Sequence, residues 1–510
     1  MTRVQADPHR ESHARHRVWP AYLGIFGFAL AIRLVWLGHQ PLWRDELFSI
    51  LWSRFDSPFL IGEGTRIETN PPAHFLVLKA WIAIAGDSAW SVRLPSAVAS
   101  AGAVAVQYAI GRRLLNRSTA LLGAVLLAVS PLSVAMAHEA RPYGAVELAA
   151  AFVMLGATGF LTAAYRPSRS SGALVGWAAV FVASCVVAFV LHYTVLFLIA
   201  AALIATGLAL VCRRPLPRSA LAIWIGTGAL TAAVIAVPLI SAMSLSQSAN
   251  IAWIQPTTPR ALLHFVGNVF LGLAAFPYRG EGVVAVFALA ALGIVRRYGV
   301  SSPVFWALIV LPGTAFGLLA IMSLHRPLLV PRYAEWLCIP GTMALAAGLS
   351  AIPFDRLRKA AIGVAILGLT TALAIQLLRQ DNEHWPGLVG AIAHEPACRG
   401  PIVFTDDTNP LAIIYFAPAL LDRPFYRVSE STASTAERYL LERYATVTTL
   451  SPSQFTTASQ GPATVISRRG EDGAYTLTLG SADYDRPFGD LLRLSCRNRS
   501  ATGGVQNRTP

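Results

Sequence analysis

Long apolar runs separated by short polar breaks occupy most of the chain up to about residue 380. A bilayer core calls for about 20 apolar residues in helical form, because unpaired backbone groups are not tolerated there. The pattern predicts spans at 19–38, 91–111, 118–137, 143–163, 173–191, 193–211, 219–241, 281–296, 301–322, 334–352 and 358–378, of which 281–296 is barely long enough. The run 71–85 is short and opens with Pro71-Pro72, which predicts an interfacial or re-entrant helix. Residues 258–276 fall in a long loop that starts near Ser244.

The breaks fix the orientation. Arg112, Arg113 and Arg117, Arg166 and Arg169, Arg213, Arg214 and Arg218, Arg296 and Arg297, and Arg356, Arg358 and Lys359 all fall on one side with the basic segment 1–18. By the positive-inside rule that side is cytoplasmic, and an odd number of spans puts the C-terminus outside. Counting 71–85 as a span would move Arg112, Arg113 and Arg117 to the outer face. The expected organisation is a cytoplasmic N-terminus (1–18), a transmembrane domain (19–379, with a first outer loop at 39–90), an extracytoplasmic α/β domain (380–497) and a disordered tail (498–510). Within 380–497 the pattern predicts strands at 402–405, 445–450, 463–468, 474–479 and 491–496 and a helix over 409–418.

Composition agrees with the spans: 55% of the 510 residues are hydrophobic and 13% charged, with a mean hydropathy of +0.53. A net charge of +14 would suggest nucleic acid in a soluble chain, but here orientation and anionic headgroups account for it, and no nucleic-acid partner is expected. Five cysteines are too few for a disulfide scaffold. Cys398 and Cys496 are the two in the polar C-terminal region, where an extracytoplasmic location would let them pair.

Candidate chemistry collects on the outer face. Asp45-Glu46 follows the first span among Trp43, Leu47, Phe48 and Trp52, and burial raises carboxylate basicity. The second outer loop packs His138, Glu139, Arg141 and Tyr143 into a few residues, where a Glu139–Arg141 helix-end salt bridge is the plain alternative to function. Asn70 and His74 begin the interfacial helix, His192-Tyr193 fills a tight turn, and His325-Arg326 and Arg332-Tyr333 precede the tenth span. Singly each would serve as a headgroup anchor. Together they describe a cavity in which carboxylates face guanidiniums, and outer-face cations against the charge bias point to an anion such as a lipid phosphate.

One reaction suits this set. A sugar on a polyprenyl phosphate leaves as a phosphate monoester anion that Arg can clamp, so no general acid is needed for the leaving group. A carboxylate base must take the acceptor hydroxyl's proton, and direct attack inverts the anomeric centre. No Asp-x-Asp metal motif for a nucleotide sugar lies in the outer loops between the spans, and no obligatory metal or other cofactor is expected for the chemical step.

The ordered set Asp45-Glu46, Asn70-Pro71-Pro72, Arg93-Leu94-Pro95-Ser96, His138-Glu139-Ala140-Arg141-Pro142-Tyr143, His192-Tyr193 and Arg332-Tyr333 resembles glycosyltransferase family 39 over about residues 19–378. This is the group of protein O-mannosyltransferase-like and aminoarabinose-transferase-like enzymes of the GT-C fold. The resemblance implies an all-α polytopic membrane domain of about 11 transmembrane helices plus interfacial helices, with a small C-terminal α/β soluble domain. It implies Asp45 as the catalytic base, Glu139 as support for the acceptor or donor site, and Arg332 and Tyr333 as holders of the donor phosphate. Aminoarabinose transferases carry Lys immediately before the first Pro of the interfacial helix; Asn70 stands here, which argues against lipid A modification.

The expected partners are a polyprenyl-phosphate-linked sugar donor, a glycan, lipid or protein acceptor, and the lipids of a bacterial plasma membrane. Two other classes remain open. A transporter or flippase of lipid-linked sugar should show inverted repeats and broken midplane helices. A lipid-linked glycan polymerase or ligase would lean on a large late outer loop, for which 244–280 is the candidate.

Overall fold

The computed structural model describes residues 19–68, 70–166, 170–243, 254, 256–272, 279–379, 382–405, 411–428, 435–445, 447–450, 463–468, 484–488 and 492–497. The basic segment 1–18, the expected strand 474–479 and the tail 498–510 lie outside these. The chain is mostly helical, and each of the stretches expected to span contains a helix. Among the described residues seven helices are long and apolar enough to cross a membrane: Ala89–Leu114, Tyr143–Ala164, Ser171–Leu191, Tyr193–Cys212, Arg218–Ala236, Pro303–His325 and Asp355–Leu378. Large apolar side chains such as Val364, Leu367 and Leu289 point outward, as lipid contact requires. The protein is an integral, multi-pass membrane protein.

Four expected spans fall outside these seven, each for a local reason. The first helix ends at Leu34 rather than 38, and Trp36 behind it has a left-handed φ of 57°, which no helix continues. The expected span 118–137 is two helices, Arg117–Ala128 and Pro131–Ala137, bent by 56°. Ser130 is extended and Pro131 has no N–H to carry the ladder through. The expected span 281–296 is the helix Arg279–Tyr298, whose apolar middle is flanked by Arg279, Glu281, Arg296 and Arg297. In place of 334–352, a 3-10 segment Pro331–Leu337 precedes a helix of 13 residues, Cys338–Ser350, and Ala334 (φ −136°) marks the break.

The runs 71–85 and 258–276 are the short helices Ala73–Ala85 and Pro259–Leu271. Starts follow ordinary capping: Ser88, Asn116, Thr258 and Ser302 each accept a backbone N–H three residues on. Small residues bring the spans close. Gly156 packs on the Phe181 backbone, and Gly144 lies against Ser96 at the outer end of Ala89–Leu114.

Beyond the last span the described strands form one six-stranded sheet: β1 (Ile402–Thr405), β2 (Phe425–Val428), β3 (Val447–Leu450), β4 (Ala463–Arg468), β5 (Tyr484–Phe488) and β6 (Leu492–Arg497), in the order β3-β2-β1-β4-β6-β5. β1 to β4 are parallel where they pair, and β6 runs antiparallel between β4 and β5. Cys398 and Cys496 form a disulfide, with Cα atoms 5.0 Å apart. The sheet does not hang free of the membrane part. Leu47, Leu51, Trp52 and Phe75 of the first loop share one apolar cluster with Trp385, Leu388, Leu411, Ile413 and Leu440 of the C-terminal region.

Gly144→Ala tests the helix contact. Its methyl group would run into the Ser96 carbonyl oxygen, which is backbone and has nowhere to go. The expected cost is about 1–3 kcal/mol, read as a lower thermal midpoint of the detergent-purified protein; an unchanged midpoint would show that the two spans separate freely.

Candidate active site

The site is assembled around one buried ion pair. Asp45 and Glu46 lie in the first turn of the helix Arg44–Ser53, where acidic side chains suit the exposed N–H groups and the helix dipole. Glu46 Oε2 accepts the Trp43 N–H at 3.3 Å, which starts the helix. Both Glu46 oxygens then receive Arg93, at 2.7 Å each, and Oε1 also receives the Ala140 N–H at 2.9 Å. Arg93 spends its remaining donors on the carbonyls of Leu37, Gln40 and Pro41. Both side chains are enclosed, at 0% and 2% exposure for Glu46 and Arg93. Glu46, expected as a catalytic acid beside Asp45, is therefore corrected to a structural role: its lone pairs are committed and no substrate reaches it.

Asp45 points the other way. Its Oδ2 lies 3.2 Å from Arg332 Nη1, and this side chain is 25% exposed. Arg332 sits 5.5 Å over the Trp43 ring and 5.8 Å over Tyr333. Trp43, Arg93, Arg332, His138 and Glu139 line a cavity of about 400 Å³. Asp45 is reached from that cavity through Arg332 rather than being part of its wall.

The second loop is delivered by the bent pair. The side chain of Arg33 donates to Ser100 Oγ (2.8 Å), Ser133 Oγ (2.8 Å) and the Ala128 carbonyl (3.3 Å), so it bonds to both sides of the bend. Ser100 in turn donates to Glu147 Oε2 at 2.5 Å. The Arg33 carbonyl meets His138 Nε2 at 2.8 Å. Burial pulls the His138 imidazole down to about 4, so it is neutral at pH 7. Glu139 is buried with Oε2 unpartnered, and burial pushes its carboxyl up to about 8, with Arg332 opposing and Glu46 and Asp45 adding. The alternative Glu139–Arg141 pair does not form: Arg141 Nη1 donates to Ser49 Oγ at 3.1 Å, and its guanidinium lies 6.0 Å from the Tyr143 ring centre.

The other expected residues divide into supports and outliers. His74 Nε2 meets the Ala140 carbonyl at 3.2 Å, and Asn70 bonds Glu68 through its backbone N–H (3.1 Å) and its side chain (2.5 Å). His192 lies between the rings of Tyr143 (5.7 Å) and Tyr333 (5.4 Å). Its Nδ1 meets Thr194 Oγ1 at 2.8 Å, and that hydroxyl donates to the Tyr333 carbonyl at 2.7 Å. Burial takes the His192 imidazole down to about 3, so it too is neutral. Tyr193 packs on Phe189. His325 and Arg326 are exposed and are not among the cavity's lining residues, which removes them from the expected phosphate set.

Sequence reading missed Gln40 of the first loop and the cavity's late wall, Asn268, Gly272, Gln376 and Asn382. Gly272 has φ +61°, and a Cβ there would run into Gln376 Oε1. A lone amide in an apolar run carries no visible pattern, so nothing in the sequence singled these residues out. Among the described residues no group of three or more His, Cys, Asp or Glu is arranged to hold a metal ion.

Known proteins agree with this architecture. Residues 69–242 match the family model of the dolichyl-phosphate-mannose-protein mannosyltransferases. The chain superposes on the ArnT protein of Cupriavidus metallidurans in its apo state with a TM-score of 0.55 and 15% identity, covering 95% of this chain and 98% of that one. Against the same protein bound to undecaprenyl phosphate the values are 0.55, 16%, 96% and 100%. An Archaeoglobus fulgidus oligosaccharyltransferase tethered to an acceptor peptide gives 0.47 at 11% identity, covering 88% and 69%. No curated protein sequence matches significantly. The resemblance read from the residues is thus met by a family model over part of the chain and by a shared fold over nearly all of it.

The Glu46–Arg93 pair makes a direct prediction. Glu46→Ala strands a buried guanidinium, at an expected cost of about 3–5 kcal/mol, seen as a large drop in thermal midpoint or in recovered folded protein; a midpoint equal to the parent's would show that the pair holds nothing.

Proposed function

We propose that the chain is an inverting glycosyltransferase that moves a sugar from a polyprenyl-phosphate donor to an acceptor hydroxyl at the extracytoplasmic face of the membrane. The observation that carries this reading is the 3.2 Å pair between Asp45 and Arg332 beside a cavity of about 400 Å³. A base and an anion holder, supplied by segments almost three hundred residues apart, meet where a sugar phosphate would have to sit. A cavity of that size accommodates a small ligand headgroup.

In the proposed reaction the donor phosphate takes over part of Arg332's charge and frees Asp45. Asp45 accepts the proton of the acceptor hydroxyl as that oxygen attacks the anomeric carbon. The bond from carbon to phosphate oxygen breaks with its electron pair on the phosphate, whose added charge Arg332 stabilises. Positive charge for the leaving group comes from this guanidinium, so no metal takes part in the proposed step. Glu139 stays neutral at pH 7 and does not repel the phosphate. With His138 and His192 neutral, the cations of the cavity wall are Arg332 and Arg93, and Arg93 is already paired with Glu46.

Asp45→Asn should lower transfer by about 10²- to 10⁴-fold while leaving binding of undecaprenyl phosphate intact, and Arg332→Ala should weaken that binding. The checks are mass spectrometry of membrane lipids and glycans from gene-deleted cells carrying each variant, and a binding titration on purified protein. Wild-type product from the Asn variant would end the base assignment.

The pH dependence has a defined sign. Glu139 is protonated below about 8 and ionises above it, whereas a phosphate monoester, with its second pKa near roughly 6, is already a dianion there. Affinity for undecaprenyl phosphate should therefore fall between pH 7 and 9, and Glu139→Gln should flatten the fall. A flat profile in the wild type would place Glu139 away from the phosphate.

A further inference from the structure

We propose that Glu437, on the helix Thr435–Tyr444 beside the sheet, is a positioning residue for Asp45, which makes the C-terminal region a structural part of the reaction centre. The inference rests on the reading of Asp45 as the base.

The contact is specific. Arg44 Nε donates to Glu437 Oε1 at 3.2 Å and Arg44 Nη2 to Oε2 at 2.7 Å, a two-point pairing that fixes angle as well as distance. Glu437 is only 4% exposed, so the pair is not a solvated surface contact. Arg44 is the first residue of the helix Arg44–Ser53, and Asp45 is the next. A cation in that position opposes the helix dipole, so helix stability does not explain it. A carboxylate delivered from outside offsets the mismatch and ties the start of the helix to the C-terminal region.

The same outer helix grips the far end of the catalytic one. The Tyr439 ring lies 6.3 Å from Trp52, 5.9 Å from Phe55 and 5.4 Å from Phe59, stacked on the last. Arg443 lies 4.4 Å over Phe55. Two holds on one short helix leave it little freedom to roll, and a roll is the motion that would take Asp45 off Arg332. Glu437, Arg44, Asp45 and Arg332 thus form a row of alternating charge from the sheet side to the cavity. Within it Glu437 touches neither substrate nor cavity and acts through the helix.

Glu437→Gln keeps the shape and removes the charge, and Arg44→Gln, at a half-exposed position, is the second variant. Both are made in the full-length membrane protein. Three quantities are measured: hydrogen exchange of amides 45–49, binding of undecaprenyl phosphate, and product in gene-deleted cells at matched protein level. The expected result is faster exchange, unchanged binding, and product lowered by about 10²-fold, the order found when a reacting group is misplaced by an ångström. Unchanged exchange overturns the inference, as does faster exchange with wild-type product, which would make the pair a fold contact only. A loss of binding that matches the loss of product overturns it too, because the effect would then lie in the carrier site. Failure of the underlying reading is separate: it shows as wild-type product from Asp45→Asn, whatever the Glu437 variants do.

Discussion

The arrangement depends on a guanidinium and a carboxylate sealed together between the first loop and the second span. Arg93 and Glu46 cannot face water at 2% and 0% exposure, so each must satisfy the other, and together they bind three carbonyls, the Trp43 N–H and the Ala140 N–H. Three segments are fixed by that single cluster: the loop 37–41, the helix bearing Asp45, and the loop bearing Glu139. A buried pair of this kind adds little net stability compared with an apolar substitute, but losing one member is severe. Its physical consequence is register. Asp45 projects about 100° around the helix from Glu46, toward Arg332, because Glu46 is held inward.

A second buried cation does similar work at the end of the first helix. Arg33 is fully enclosed, and its bond to the Ala128 carbonyl satisfies a backbone oxygen beside the bend at 129–130, while its bond to Ser133 ties the far side of the bend. Bilayer interiors tolerate a broken helix only where other groups answer the freed carbonyls. The bend matters because it turns Pro131–Ala137 so that His138 and Glu139 arrive at the cavity. Charge inside the membrane here is tied to delivering a loop.

These two clusters mark the boundary of what the sequence reveals. Spans were legible because apolar length is local information, and Asp45, Glu139 and Arg332 were legible because ionisable groups at that end of the spans are few. The roles of neighbours were not. Nothing in Asp45-Glu46 says which acid turns inward; that is decided by Arg93, nearly fifty residues away. His325-Arg326 and Arg332-Tyr333 look equivalent in one dimension, and the 3-10 turn at Pro331–Leu337 separates them in three. The helix Thr435–Tyr444 was not read at all, since its apolar face is completed by Trp52 and Phe59 from the first loop rather than by its own neighbours.

Charge arithmetic at the cavity explains why so many ionisable groups can share a small volume. Glu46 is cancelled by Arg93, and Asp45 by Arg332. Burial strips the charge from Glu139, His138 and His192 at pH 7. Arg141, bonded to Ser49 and set against Tyr143, is the next guanidinium, and Asp45 and Glu68 are the acids that act on it. On the proposed reading an arriving phosphate must draw on Arg332 to be satisfied. Each step by which the phosphate gains Arg332 is a step by which Asp45 loses its counter-charge and becomes a better base. In the proposed reaction donor binding and base activation are therefore the same electrostatic event, which ties proton abstraction to the presence of the leaving group.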